Sequence, residues 1–169
     1  LLMGGTGVGK SSLLNALANR RQLAHVSKTP GRTRLINLFE LPDGTTLVDL
    51  PGYGYAQAPG HMRKGWQQMI EGYLLGREEL VKVLVLVDGE IGPTKLDIQM
   101  LDWLHESDVP YAVVATKHDK VKSSMRDARK KDLAAKCGLE PKQVSWVSAA
   151  KGVGIDELRA KVLRWLAEA

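Results

Sequence analysis

Gly4-Gly5-Thr6-Gly7-Val8-Gly9-Lys10-Ser11 is the stretch that decides the fold. It satisfies GxxxxGK[ST], follows the apolar remnant Leu1-Leu2-Met3 and precedes a helical pattern at Leu13, Leu14 and Leu17. A strand before the loop and a helix after it give the pattern its meaning. Glycines let the backbone wrap until successive N–H groups point at phosphate oxygens. Lys10 brings positive charge to the terminal phosphates, the Ser11 hydroxyl is a magnesium ligand, and Ser12 completes the binding set. The loop therefore predicts a nucleoside triphosphate with Mg2+ and leaves the base to be read elsewhere.

Beyond the loop, apolar β-branched runs alternate with helical patterns, which predicts an α/β fold with a mostly parallel sheet and helices on both faces. Val81 to Val87, Val109 to Thr116 and Gln143 to Val147 read as strands. The first two are apolar throughout, as strands buried on both faces are. Leu35 to Leu41 and Thr46 to Leu50, joined by Pro42-Asp43-Gly44-Thr45, read as an antiparallel hairpin. The expectation is a six-stranded sheet with one antiparallel edge strand, in a single domain over residues 1–169 whose first strand is cut short at the N-terminus. Among the helices, Thr94 to Asp97 forms a capping-box start, with Leu96, Met100, Trp103 and Leu104 as the apolar face. Ile155, Leu158, Val162 and Trp165 make a second stripe, and Trp66, Ile70 and Tyr73 a third.

Three further elements fall at strand ends. Asp49-Leu50-Pro51-Gly52 is a DxxG element, placing a carboxylate to hold the metal through water and a glycine N–H toward the γ-phosphate. Thr116-Lys117-His118-Asp119 is close to NKxD, and Ser148-Ala149-Ala150-Lys151 to SAxK. Guanine presents N1–H and an exocyclic amine, so the Asp119 carboxylate accepts both while the Ala149 N–H meets O6. The stem of Lys117 lies across the base, and the Thr116 hydroxyl, standing where Asn is usual, ties this loop to the phosphate loop. His118, at the variable position, reads as merely exposed. The four elements in this order predict a GTP-binding domain.

Ser27-Lys28-Thr29-Pro30-Gly31-Arg32-Thr33-Arg34-Leu35-Ile36-Asn37 and Asp49 to Ala56 resemble the EngB family of bacterial GTPases, implicated in assembling the large ribosomal subunit. Thr116 to Lys120 has the family's Thr-Lys-x-Asp-Lys form. The resemblance implies that Gly31, Arg32 and Thr33 form the first switch, with Thr33 ligating magnesium beside Ser11 and Asp49, and Thr29 as runner-up. It also implies binding by Lys120 and Ala150, catalytic roles for Lys10, Thr33 and Gly52, and ribosomal RNA or a large-subunit precursor as partner. The family's phosphate loop usually carries Asn where this chain has Gly7. In related GTPases that Asn helps hold potassium, so potassium stimulation is not expected. Tyr53 follows Gly52 where small GTPases commonly place Gln, so intrinsic hydrolysis is expected on the order of 10⁻⁴ to 10⁻³ s⁻¹.

Composition bounds these readings. The 169 residues carry 24 Lys and Arg against 19 Asp and Glu, a net charge of +5 that suits a polyanionic partner. Basic groups cluster at Lys28, Arg32 and Arg34, at His61, Arg63 and Lys64, and at Lys122, Arg126, Arg129, Lys130 and Lys136. In the last group Asp127 with Lys131, and Asp132 with Lys136, offer plain i,i+4 solvation instead. The single Cys137 excludes an internal disulfide framework and fits a reduced, cytoplasmic or organellar, compartment. No run approaches the ~20 apolar residues of a membrane helix, and a monomer is expected. Two other classes remain open: a small-molecule phosphotransferase on the same loop, and a nucleotide-dependent binding module with vestigial hydrolysis.

Overall fold

The computed structural model describes residues 2–5, 8–18, 37–40, 45–50 and 60–169, without the side chains of 37–40 and 60–66. Among the described residues six strands form one sheet: β1 (Leu2–Gly4), β2 (Asn37–Glu40), β3 (Thr46–Asp49), β4 (Val83–Asp88), β5 (Tyr111–Thr116) and β6 (Val144–Trp146). Their order is β2-β3-β1-β4-β5-β6. All neighbours are parallel except β2 and β3, which pair antiparallel with Asn37 opposite Asp49. The expected reversed edge strand is therefore β2; its turn, Pro42 to Gly44, lies outside the described residues.

Among the described residues five α-helices cover the sheet: α1 (Lys10–Leu17), α2 (Gly60–Leu74), α3 (Lys95–Glu106), α4 (Arg126–Lys136) and α5 (Ile155–Ala167). Alternation along β4 sorts the core into two layers. Val83, Val85 and Val87 join Ile70 of α2, Leu101 and Leu104 of α3 and Leu133 of α4. Leu84 and Leu86 join Leu13 and Leu14 of α1 and Ile155 and Leu158 of α5. The unbroken apolar run thus has a partner layer on each side. No helix among the described residues is long and apolar enough to cross a membrane.

The capping box at α3 is present, with Asp97 N donating to Thr94 Oγ1 at 3.1 Å and Thr94 N to Asp97 Oδ2 at 2.8 Å. Its apolar face differs from the sequence reading: Leu96 is exposed, whereas Leu101 and Leu104 are buried and Met100 and Trp103 half-buried. One residue of rotation separates the two readings, because the box fixes where the first turn begins and sends Leu96 outward. Two strands also begin later than the apolar runs, at Val83 and Tyr111, and Gln143 belongs to a 3₁₀ turn ahead of β6. In α5 the stripe holds, with Ile155 and Leu158 buried and Val162 and Trp165 packed at its margin. Of the third stripe Ile70 is buried and Tyr73 half-buried, while the Trp66 side chain lies outside the described residues.

Arg159 of α5 closes the end of α1: Nη2 donates to the Ala16 carbonyl at 2.7 Å and Nε to the Leu17 carbonyl at 3.1 Å. Helix ends leave such carbonyls without intrahelical partners, and a cation there also suits the dipole. The same helix carries Lys10 and Ser11 at its other end, so this contact ties α5 to the helix that follows the phosphate loop. Arg159→Ala should lower unfolding free energy by roughly 1–3 kcal/mol in denaturant titration, and Arg159→Lys should recover only part because an ammonium lacks the planar fork. Full stability in Arg159→Ala would show that water caps α1 equally well.

Candidate nucleotide site

Parallel strands point the same way, so the carboxyl ends of β1, β3, β4, β5 and β6 lie along one edge of the sheet, the edge where open α/β sheets hold ligands. Gly4 closes β1 at a place with no room for a side chain, since a Cβ would stand 2.9 Å from Val8 Cγ1 and 3.1 Å from the Leu86 carbonyl. Gly5 follows it, and Gly9, at φ 94°, turns the chain into α1. Lys10, Ser11 and Ser12 form the first turn, Lys10 buried and both serines half-buried.

Lys10 reaches β3. Its Nζ is 2.8 Å from Asp49 Oδ1 and also donates to the Leu50 carbonyl. Asp49 is buried, and its Oδ1 accepts no aligned hydrogen bond even with the ammonium so near. A buried carboxylate oxygen that accepts no aligned hydrogen bond, together with the Ser11 hydroxyl in the first turn of α1, makes a donor set suited to a hard, oxygen-seeking dication. Ser11 and Asp49 thus fit magnesium. The third expected ligand, Thr33, lies outside the described residues, as do Thr6, Gly7, Thr29, Gly31, Arg32, Gly52 and Tyr53. Lys28 and Arg34 fall there too, and so do the side chains of His61, Arg63 and Lys64.

The loop after β5 is joined to the phosphate loop as the sequence suggests. Thr116, buried, donates from Oγ1 to the Val8 carbonyl at 2.7 Å. Thr is one atom shorter than Asn, yet the parallel pairing of β1, β4 and β5 brings the two segments close enough for a hydroxyl. Lys117 follows with φ 58° in the left-handed region, and its Nζ lies 2.7 Å from Asp88 Oδ2 at the end of β4. Asp119 Oδ1 accepts from Ser148 Oγ at 2.8 Å, and Ser148 Oγ in turn accepts the Lys151 N–H at 3.1 Å. The Ser148 hydroxyl, more than any other group, holds the Asp119 carboxyl below its usual range. Ala149 is half-buried, and Lys120 and Ala150 are exposed beside them.

His118 departs from the sequence reading. It is half-buried, its ring edge-on to Trp146 at 6.1 Å between centroids and its backbone N–H bonded to the Val147 carbonyl at 3.0 Å. Burial first, then the Arg126 and Lys130 charges, lower its pKa, with Asp119 opposing. Trp146 also covers Gly89, where a Cβ would collide with that ring and with the Thr116 carbonyl. Asp88, Gly89 and Trp146 escaped the sequence reading. The one visible sign was the Asp88-Gly89 pair that ends the apolar run of β4. In the third basic group, Lys136 pairs with Asp132 at 3.0 Å, as solvation of that face predicts, and Lys122 precedes α4, which carries the other four.

Residues 1–117 match the family described as 50S ribosome-binding GTPase. A Pelotomaculum thermopropionicum protein named Probable GTP-binding protein EngB is 46% identical over 166 residues, spanning 98% of this chain and 84% of the relative. Two solved structures share the fold at lower identity. A probable GTP-binding protein engB has a TM-score of 0.79 at 24% identity, over 99% of this chain and 98% of that one. Era in complex with MgGDPNP and a segment of 16S ribosomal RNA has a TM-score of 0.75 at 23% identity, over 97% of this chain and 55% of that one.

Only the ionised Asp119 carboxylate accepts two donors from a base, so protonation competes with guanine, and a lowered pKa keeps the competent form to lower pH. Ser148→Ala should therefore raise the Asp119 pKa and move the acid loss of GDP affinity to higher pH. Fluorescent-nucleotide titration across pH reads this directly. An acid limb identical to that of the unmodified protein would show that Ser148 does not tune Asp119.

Proposed function

The chain belongs to the EngB family of GTP-binding proteins, and from that premise we propose that it is a slow GTP-hydrolysing switch that assists assembly of the large ribosomal subunit. The observation that carries the guanine reading is the Asp119 carboxylate, an acceptor-only group pinned by Ser148 at the meeting of β5 and β6. Its two oxygens match the two donors on guanine and mismatch adenine. A phosphotransferase has no use for this carboxylate, which places the kinase alternative second.

Hydrolysis needs alignment and charge more than covalent help from protein. Lys10 binds the terminal phosphates with an ammonium already withdrawn from water, and the amides after Gly4 and before Lys10 cradle their oxygens. Ser11, Asp49 and Thr33 would hold magnesium, which when bound neutralises charge on the β- and γ-phosphates. Thr33 and the Gly52 N–H sense the γ-phosphate, so the two switches change contacts when it leaves. Tyr53 offers no amide to orient water, and intrinsic turnover is accordingly low. Gly7 lacks a side chain for a monovalent cation, so potassium adds little.

The basic groups of the two switch regions supply contacts to ribosomal RNA. The description of the matched family as 50S ribosome-binding supports that partner. The protein acts as a monomer in the cytoplasm or an organelle. Cosedimentation with isolated ribosomal subunits in GDP, GTP and a non-hydrolysable analogue tests the proposal. Recovery should favour the large subunit in the triphosphate states, and Thr33→Ala should bind GDP normally yet cosediment in every nucleotide as the GDP form does. Equal recovery with both subunits in all three states would overturn the assembly role.

A further inference from the structure

Asp88 lies outside every motif, yet it is the best-anchored carboxylate at the site's edge. The β4–β5 register places it opposite Thr116, and the next amide, Gly89 N–H, bonds the Thr116 carbonyl at 2.9 Å. Its Oδ1 accepts from the Glu90 N–H at 2.9 Å and the Ile91 N–H at 3.3 Å. These turn contacts fix the carboxylate without help from the lysine. Oδ2 is then aimed at Lys117 Nζ, 2.7 Å away.

Lys117 is held from two directions. Its backbone has φ 58°, a conformation uncommon for residues with a side chain and kept only where the surroundings over-determine it. The Lys120 N–H bonds its carbonyl at 2.9 Å, and the neighbouring His118 N–H bonds Val147. A long lysine stem has large rotamer freedom, and tying its head removes that freedom before any ligand arrives. The side chains are 35% exposed for Lys117 and 13% for Asp88, so the pair is screened less than a surface pair.

We propose that Asp88 is a positioning residue for guanine recognition, holding the Lys117 stem where the base must lie. This rests on the guanine reading of Thr116 to Asp119. Asp88→Asn separates the role from turn formation, because the amide oxygen still accepts from Glu90 and Ile91 while the charge opposite Lys117 is lost. Asp88→Ser, whose hydroxyl also accepts from turn amides, gives a second comparison should the first variant fold poorly.

The measurement is a double-mutant cycle on GDP and GTP affinity with Lys117→Ala, alongside thermal unfolding. Asp88→Asn should weaken both nucleotides about five- to tenfold, since the base contact does not see the γ-phosphate, with little change in melting temperature. In the Lys117→Ala background Asp88→Asn should have no further effect. If Lys117→Ala loses affinity while Asp88→Asn keeps it, or if the two losses multiply in the double variant, Asp88 does not act through Lys117 and the guanine reading survives. If Lys117→Ala binds both nucleotides as the unmodified protein does, the Lys117 stem makes no useful contact with the base and the positioning role fails, whereas an unmodified protein that prefers ATP to GTP would overturn the guanine reading itself.

Discussion

One buried hydrogen bond, from the Thr116 hydroxyl to the Val8 carbonyl, spans 108 positions of sequence and joins the two ends of the nucleotide site. In the proposed binding mode the loop after β1 takes the phosphates and the loop after β5 the base, so affinity depends on the distance between those loops. Neither loop sets that distance alone. The parallel pairing β1-β4-β5 sets it coarsely, and the hydroxyl joins the two loops directly. A net value near 1 kcal/mol understates the bond, because its loss leaves a buried carbonyl without a partner at a cost of about 1–3 kcal/mol.

The charged groups follow the same logic, each held by a residue from a different strand end. Lys10 of α1 meets Asp49 of β3, Lys117 after β5 meets Asp88 of β4, and Asp119 meets Ser148 beyond β6. Isolated charges this close to the core would be strongly disfavoured, whereas pairs with fixed geometry are tolerated. The sheet thereby presents charges to a ligand already oriented, which reduces the ordering entropy lost on binding. Small residues do comparable work where backbone segments crowd: Gly4 admits Val8 and Leu86, and Gly89 admits Trp146.

Much of this was legible in the sequence because it is local. The phosphate loop, the capping box at Thr94, the two-sided burial of β4 and the reversed edge strand are each read from spacing within a few residues. The Thr116 tether was legible for another reason: a position known by its motif implies its partner. What escaped depends on register between strands far apart in sequence. Nothing near Asp88 announces that β4 will set it opposite Thr116, and nothing near His118 announces the Trp146 ring that half-buries it. Leu96 was misplaced by a single residue, within the uncertainty of phasing a helix from apolar spacing before its cap is fixed.

The central claim is that the edge formed by β5 and β6 recognises guanine through the acceptor-only carboxylate of Asp119. Competition of GTP, ATP and xanthosine triphosphate against a fluorescent nucleotide, for the unmodified protein and Asp119→Asn, tests it most directly. Asn replaces one acceptor with a donor, suiting the 2-oxo group of xanthine in place of the guanine amine. The account predicts that Asp119→Asn loses GTP by at least about 100-fold, as two mismatched partners imply, and gains xanthosine triphosphate, with ATP a poor competitor in both forms. Retained preference for GTP in the variant, or preference for ATP in the unmodified protein, would contradict it.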